Sequence, residues 1–283
     1  MSDNQANQIL FFDKKGNCIR RVGQKGHGPN EYKRPGSIAQ TDTNLIINDH
    51  GNSRFQYLSL TGDYIAIKSY EIEVAPLISS RGESFDHSGN YFLATNGYLA
   101  DSLIQKYDKS FKPKQLFGEL ESDQFDYLNY TSLKKAIENN QIPAVLVNSI
   151  LLEYCEDATL LAVHMSIPVI KRFSSQGKLL FRKNLKVPEM DLMKEKFFSD
   201  NKKSKKKRFR PLYYWMDLAL DNKGGAYLLL FYNEKMILYH VDYDGNLIEK
   251  LIGPSDFISQ IVLNGNELWA FGISSLKFYR FEI

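Results

Sequence analysis

The sequence predicts an all-β fold: a six-bladed β-propeller that is N-terminally incomplete, with about 21 of 24 strands and two long inter-blade inserts. Three observations predict it. A hairpin unit recurs, with Asp3, Ile9, Phe12 and Gly16 matching Asp49, Phe55, Leu58 and Gly62 at an offset of 46. Four short strand-like runs, punctuated by turn residues, return about every 40 to 70 positions, which is the rhythm of propeller blades. The 18 Phe and 17 Tyr of the 283 residues favour strands over helices.

The recurring unit reads as a polar loop, an alternating strand, a glycine-containing turn and a second strand. Looser copies follow. In "DSLIQKYDKSFKPKQLFG" Phe111 stands at the turn-glycine position, while "IPVIKRFSSQGKLLFRKN" has Gly177 and "KMILYHVDYDGNLIEKLIG" has Gly245. Two further strand-like runs separate successive copies, for example "SIAQ" with "NLIIND" and "MDLALD" with "AYLLLF". Residues 1–283 therefore form a single propeller domain in this reading, with complete blades near 37–70, 84–117, 150–185 and 215–252. Residues 1–23 give an outer hairpin only, and 257–283 give three strands. An upstream segment is expected to supply the missing three and close the ring, since closure removes raw sheet edges. The competing reading is a five-bladed ring whose closing blade has five strands.

Composition narrows the function classes. Formal charge is +3, yet "KKSKKKRFR", Lys202 to Arg210, carries seven positive charges, so the remainder is mildly acidic. Counterion release could draw such a run to polyanions. Its Ser and Asn neighbours and lack of interleaved aromatic platforms suit a solvated loop instead, and nucleic acid is not the favoured partner. Cys18 and Cys155 are far apart without CxxC spacing, and both are expected as buried, unpaired thiols. No apolar run reaches the roughly 20 residues of a membrane helix. "MSDNQANQ" lacks the basic and apolar parts of a secretory leader.

"GQKGHGPNEYKRPGSI" followed by "LIINDHGNSRFQYLSLTGDYI" resembles the NHL-type repeat and, more closely, the six-bladed β-propeller lipoproteins of Bacteroidetes. Gly26, Gly28, Pro29, Glu31 and Tyr32 fit that family's Gly-x-Gly-Pro-Gly-Glu-Tyr turn, with Asn30 departing from the third glycine. Asp49, Asn52, Arg54 and Gly62 fit the rest of its pattern. The resemblance covers residues 9–70 closely and implies placement in the periplasm or at the outer membrane. Membrane attachment would come only through a lipid anchor, which this chain does not show. The family brings no settled activity with it.

On a propeller, inter-blade links and the turns between second and third strands emerge on one face. The inserts 118–149 and 186–214 and the turn "QKGHGPNEY" all belong there, and long loops on a rigid frame are where binding concentrates. "TSLKKAIENN" in the first insert reads as a short helix capped by Thr131 or Ser132. The ligand-binding candidates on this rim are His27, Glu31, Tyr32, His50, Arg54, His164, Tyr213, Tyr214 and Trp215. Three histidines from different blades could hold zinc with an open position. No spacing rule supports that, and no metal, cofactor or catalytic residue is assigned. His87 falls on the opposite face and His240 within a strand. The rings of Tyr213, Tyr214 and Trp215 either meet sugars, peptides or hydrophobic anchors or pack between blades.

No nucleophile elbow, P-loop, HExxH or dinucleotide fingerprint occurs. The reading is a monomeric, non-catalytic propeller of the cell envelope that binds or scaffolds a protein, peptide or glycan through its loop-rich face. The alternative is a metal-dependent hydrolase or lyase with its site at the central channel, a reading that rests on fold analogy.

Overall fold

The computed structural model describes residues 1–70, 82–97, 101–122, 129–204 and 209–283. The fold is the predicted all-β, six-bladed propeller. The first sheet holds β1 (Ser2–Asp3), β2 (Gln8–Phe12) and β3 (Cys18–Val22). A short parallel pair follows, β4 (Gln24–Lys25) and β5 (Glu31–Tyr32). The second sheet is β6 (Pro35–Gln40), β7 (Asn44–Asp49), β8 (Arg54–Ser59) and β9 (Tyr64–Ser69). The third is β10 (Glu83–Phe85), β11 (Tyr91–Ala94), β12 (Ser102–Tyr107) and β13 (Pro113–Glu119).

The fourth sheet comprises β14 (Ile150–Tyr154), β15 (Thr159–His164), β16 (Val169–Ser174) and β17 (Leu179–Asn184). The fifth comprises β18 (Asp217–Leu220), β19 (Ala226–Tyr232), β20 (Lys235–Val241) and β21 (Leu247–Ile252). The last has three strands, β22 (Ile258–Asn264), β23 (Glu267–Gly272) and β24 (Lys277–Glu282). The six sheets hold 22 strands among the described residues, one more than the sequence reading counts. The addition is the two-residue β1, whose Ser2 and Asp3 pair with Ile9 and Gln8.

The repeated hairpin has a local cause. An acidic or hydroxyl side chain caps the turn between third and fourth strands, as when Asp13 Oδ1 accepts from the amides of Lys15 (2.8 Å) and Asn17 (2.9 Å). Asp108 Oδ1 does the same for Ser110 and Lys112, and Ser174 Oγ for Gln176 and Lys178. Three residues after the cap the backbone turns left-handed, at Gly16, Gly62, Gly177 and Gly245 and also at Phe111 (φ 58°). Phe111 bears a strain that glycine would avoid. A register shift recurs beside this turn in four sheets, at Phe11/Phe12, Tyr57/Leu58, Arg172/Phe173 and His240/Val241.

The described residues of Met1–Ala75, Ser84–Tyr91 and Tyr107–Pro113 form one compact unit, and those of Pro76–Glu83, Phe92–Lys106 and Lys114–Ile283 a second. In the first, Ile9, Val22, Tyr32, Ile47 and Leu58 make an apolar core. Beside it Phe55 is the hub of an aromatic group, with ring centroids 4.7 Å from Tyr70, 5.3 Å from Phe85, 5.2 Å from Tyr91 and 4.8 Å from Phe111.

In the second unit the core extends from the fourth and fifth sheets into both inserts. Helix α1 (Tyr130–Glu138) starts earlier than the sequence suggests. Asn129 is its cap and accepts from the Thr131 amide at 3.0 Å, in place of Thr131 or Ser132. A four-residue turn, α2 (Ala144–Val147), follows. The second insert contains α3 (Glu189–Lys203), a helix that the sequence reading does not anticipate. Acidic Glu189 and Asp191 in its first turn and basic Lys202 and Lys203 in its last complement the helix dipole.

Cys155 is buried as expected, but Cys18 is exposed, because β3 is the outermost strand of its sheet and shows four of its five residues to solvent. No helix among the described residues is long and apolar enough to cross a membrane. Lys205, Lys206 and Lys207 of the basic run lie outside the described residues.

Candidate functional site

The most conspicuous sequence motif folds into a closed latch. The loop between β4 and β5 bends back so that the Glu31 carboxylate accepts from the amides of His27 (2.9 Å) and Gly28 (2.8 Å) and from the Gln24 side chain (3.0 Å). These bonds, led by that from Gly28, hold the carboxyl below its usual range. A Cβ at Gly26 would lie 2.1 Å from Glu31 Oε2, so the close approach requires glycine there. Arg54 lies beneath the loop. Its guanidinium pairs with Asp49 at 2.8 Å and donates to the carbonyls of His27, Gly28 (3.0 Å) and Glu31 (2.7 Å).

Asp49 is fully buried and also accepts from the Lys33 amide (2.7 Å) and the Asn52 side chain (2.7 Å). Asn52 reaches on to Gly26 O, and the Gln56 side chain to Glu31 O. Tyr32 is wholly buried, and its phenol is pushed up by burial first and by the Asp49 charge second. Glu31 and Arg54 thus hold this loop closed, and Tyr32 is buried beneath it. His27 is exposed, and His50 is half-buried in a short turn, His50–Asn52.

In the second unit His164 ends β15 completely buried, with Nδ1 2.7 Å from the Val147 carbonyl. Burial lowers its pKa to about 4, so the ring is neutral and cannot serve an exposed ligand. Nearby, Glu121 takes two bonds from Arg182 (2.9 and 2.6 Å) and pairs with buried Lys171 at 2.6 Å. The Arg182 bonds lead in bringing Glu121 down to about 2. Among the described residues no three His, Cys, Asp or Glu side chains are grouped so as to hold a metal ion. His240 bonds Asp221 at 2.7 Å and stacks on Tyr227, with ring centroids 4.1 Å apart.

The run from Leu212 to Trp215 is tied to the turn after β15. Ser166 Oγ donates to Leu212 O, and the Tyr214 amide donates to Met165 O at 2.7 Å. Tyr214 and Trp215 are buried, Trp215 edge-on to Tyr239 at 5.8 Å, so of the two readings offered for these rings they take the packing one. Tyr213 is only half-buried and lines a cleft of about 680 Å³.

One wall of the cleft is α3, through Met193, Lys196, Phe197, Asp200 and Asn201. Another is the returning segment from Arg210 to Tyr213 with Met216, and the third is the β19–β20 tip from Phe231 to Glu234. Positive φ at Asn233 (49°) and Glu234 (60°) makes that tip a tight hairpin turn.

The cleft's mobile-looking parts are in fact anchored. At the start of α3, Glu189 accepts from the Tyr239 hydroxyl (2.6 Å) and pairs with Lys250 (2.5 Å). At its end the Asn201 side chain accepts from the Arg210 amide (2.8 Å) and donates to the Arg210 carbonyl (3.0 Å). Met190, Phe197 and Phe198 bury one face of the helix in the core. The floor is therefore apolar and aromatic, while Lys196, Asp200, Arg210 and Glu234 supply charges at the rim. Such a mixture of apolar walls and few charged groups is what binding pockets use.

Residues 1–141 match the model of a family described as a 6-bladed beta-propeller, DUF5128. Structural comparison gives the same fold across the whole chain. A catalytically inactive virginiamycin B lyase from Staphylococcus aureus, solved with quinupristin, aligns with a TM-score of 0.56 and 13% identity over 99% of this chain and 75% of that one. A DUF4221 family member from Bacteroides vulgatus aligns with a TM-score of 0.57 and 10% identity, over 98% and 86% of the two chains. A nidogen/laminin complex aligns with a TM-score of 0.52 and 8% identity, over 98% and 86%. A lyase, a protein of a domain family and a protein–protein complex share the architecture, and at these identities the likeness concerns the fold alone. No curated protein matches the sequence.

Proposed function

We propose that the chain is a non-catalytic binding propeller and that its ligand site is the cleft between α3, the Arg210–Tyr213 return and the β19–β20 tip. One observation carries this reading. In the latch Arg54 and Asp49 are buried under the loop they hold, whereas the cleft leaves Tyr213, Phe231 and Tyr232 half-buried on a frame fixed at both ends of α3, with Phe231 edge-on to Phe257. Such rings are the usual anchors of recognition, and a pre-ordered frame spares the ligand the cost of ordering it. The hydrolase or lyase alternative lacks a ligand cluster among the described residues. By the family resemblance, the setting we propose is the periplasm or the outer membrane.

The test is peptide selection from a random display library, followed by affinity measurement against the Tyr213→Ala/Phe231→Ala double variant. Selected peptides should lose about tenfold or more in affinity, the scale of losing hot-spot rings. Peptides that bind the variant as well as the parent, or a glycan-array ligand that does so, would overturn the reading.

A further inference from the structure

We propose that the occupant of this cleft is an acidic peptide segment, its apolar side chain between Tyr213 and Phe231 and its carboxylates along the C-terminal end of α3. This rests on the binding reading above and adds the chemistry of the partner. The insert 186–214 carries ten Lys and Arg against four Asp and Glu, and six of the ten cations are among the described residues. Three of the four acids are already engaged: Glu189 with Lys250, Asp191 with Lys186 and Asp200 with Arg210.

A helix C-terminus presents only about half a negative charge, which Lys202 and Lys203 already exceed. The insert thus holds a surplus of positive charge that neither its own acids nor the dipole offsets. The Arg210 side chain is 82% exposed beside the cleft, yet its backbone is fixed at both amide and carbonyl by Asn201. An anchored cation next to an apolar cavity is poised for a carboxylate adjoining an apolar side chain.

Two other anionic partners fit less well. A flat headgroup plane would leave a cavity of about 680 Å³ unfilled, and Leu192 is the exposed large apolar side chain that α3 offers for insertion. A nucleic-acid strand needs open stacking faces, but Phe209 packs against the core and Tyr214 and Trp215 are buried.

The experiment uses the full chain and fluorescent synthetic peptides with a Phe-Leu anchor followed by Glu, Gln or Lys runs, read by anisotropy. The Glu peptide should bind about tenfold tighter than the Gln peptide at low salt, and the ratio should collapse toward one near 0.5 M salt, where screening acts within a few ångströms. Lys203→Glu/Arg210→Glu should shrink that ratio, and Tyr213→Ala/Phe231→Ala should weaken both peptides alike. Equal binding of Glu and Gln peptides would sink the acidic-partner inference and leave the cleft standing. Binding of neither, or binding untouched by the Tyr213/Phe231 change, would remove the cleft reading itself. Tight binding of the parent to phosphatidylglycerol vesicles, with no preference among peptides, would point to a membrane instead.

Discussion

The Arg54 latch and the α3 cleft use similar residues to opposite ends. Both combine Arg, Asp, Asn and Tyr in or beside a long link. In the latch, Asp49 and Arg54 are buried and every hydrogen bond described turns inward on the loop that contains them. In the cleft, the side chains of Asp200 and Arg210 meet each other at 3.5 Å, partly or largely exposed, while Asn201 holds the backbone of the frame. What distinguishes a structural motif from a binding surface here is where the bonds end, and residue type alone does not reveal that.

The sharpest way to break the comparison is Arg54→Ala. If the latch is structural, the change leaves Asp49 buried without its cation and costs about 3–5 kcal/mol, measured by urea unfolding. A loss under about 1 kcal/mol would show the latch to be dispensable. The second-largest effect concerns acid. Between pH 6.5 and 4 an unfolded His164 takes up a proton that the buried ring refuses, so stability falls as pH drops through that window. The loss is at most about 3–4 kcal/mol. Glu121, whose folded value near 2 lies under its ordinary 4.5, adds a further loss as pH falls from 4.5 toward 2. Thermal melts across pH should show both steps, His164→Asn removing the upper and Glu121→Gln the lower. The smallest effect is a gain: Glu234→Gly relieves a left-handed residue at the hairpin tip and should add about 0.5–1 kcal/mol, read by the same melts.

The fold was legible because the blade hairpin has a spelling. A capping Asp or Ser followed three residues later by a left-handed glycine repeats along the chain, and even Phe111 was recognisable by position. The site was much less legible. Gly26, Glu31, Tyr32 and Arg54 stood out through a pattern that proves to be loop closure, since spacing cannot say whether a guanidinium ends on a ligand or on backbone carbonyls.

Helix α3 was missed although its signals were present: acids in the first turn, lysines in the last, and Met190, Phe197 and Phe198 at helical spacing. Of the rings at 213–215, only Tyr213 is half open. Which of three consecutive aromatics stays outside depended on the turn after β15, a partner 46 or more positions away in sequence.

The protein's two tryptophans, Trp215 and Trp269, both belong to the second unit, while the aromatic group of the first is built from phenylalanine and tyrosine. Indole emission is therefore a private optical signal of one half of the molecule. Trp215, sealed edge-on against Tyr239, should emit toward the blue and shift red only when the fourth and fifth sheets come apart. Following that colour during denaturation reports, without any label, when the second unit opens.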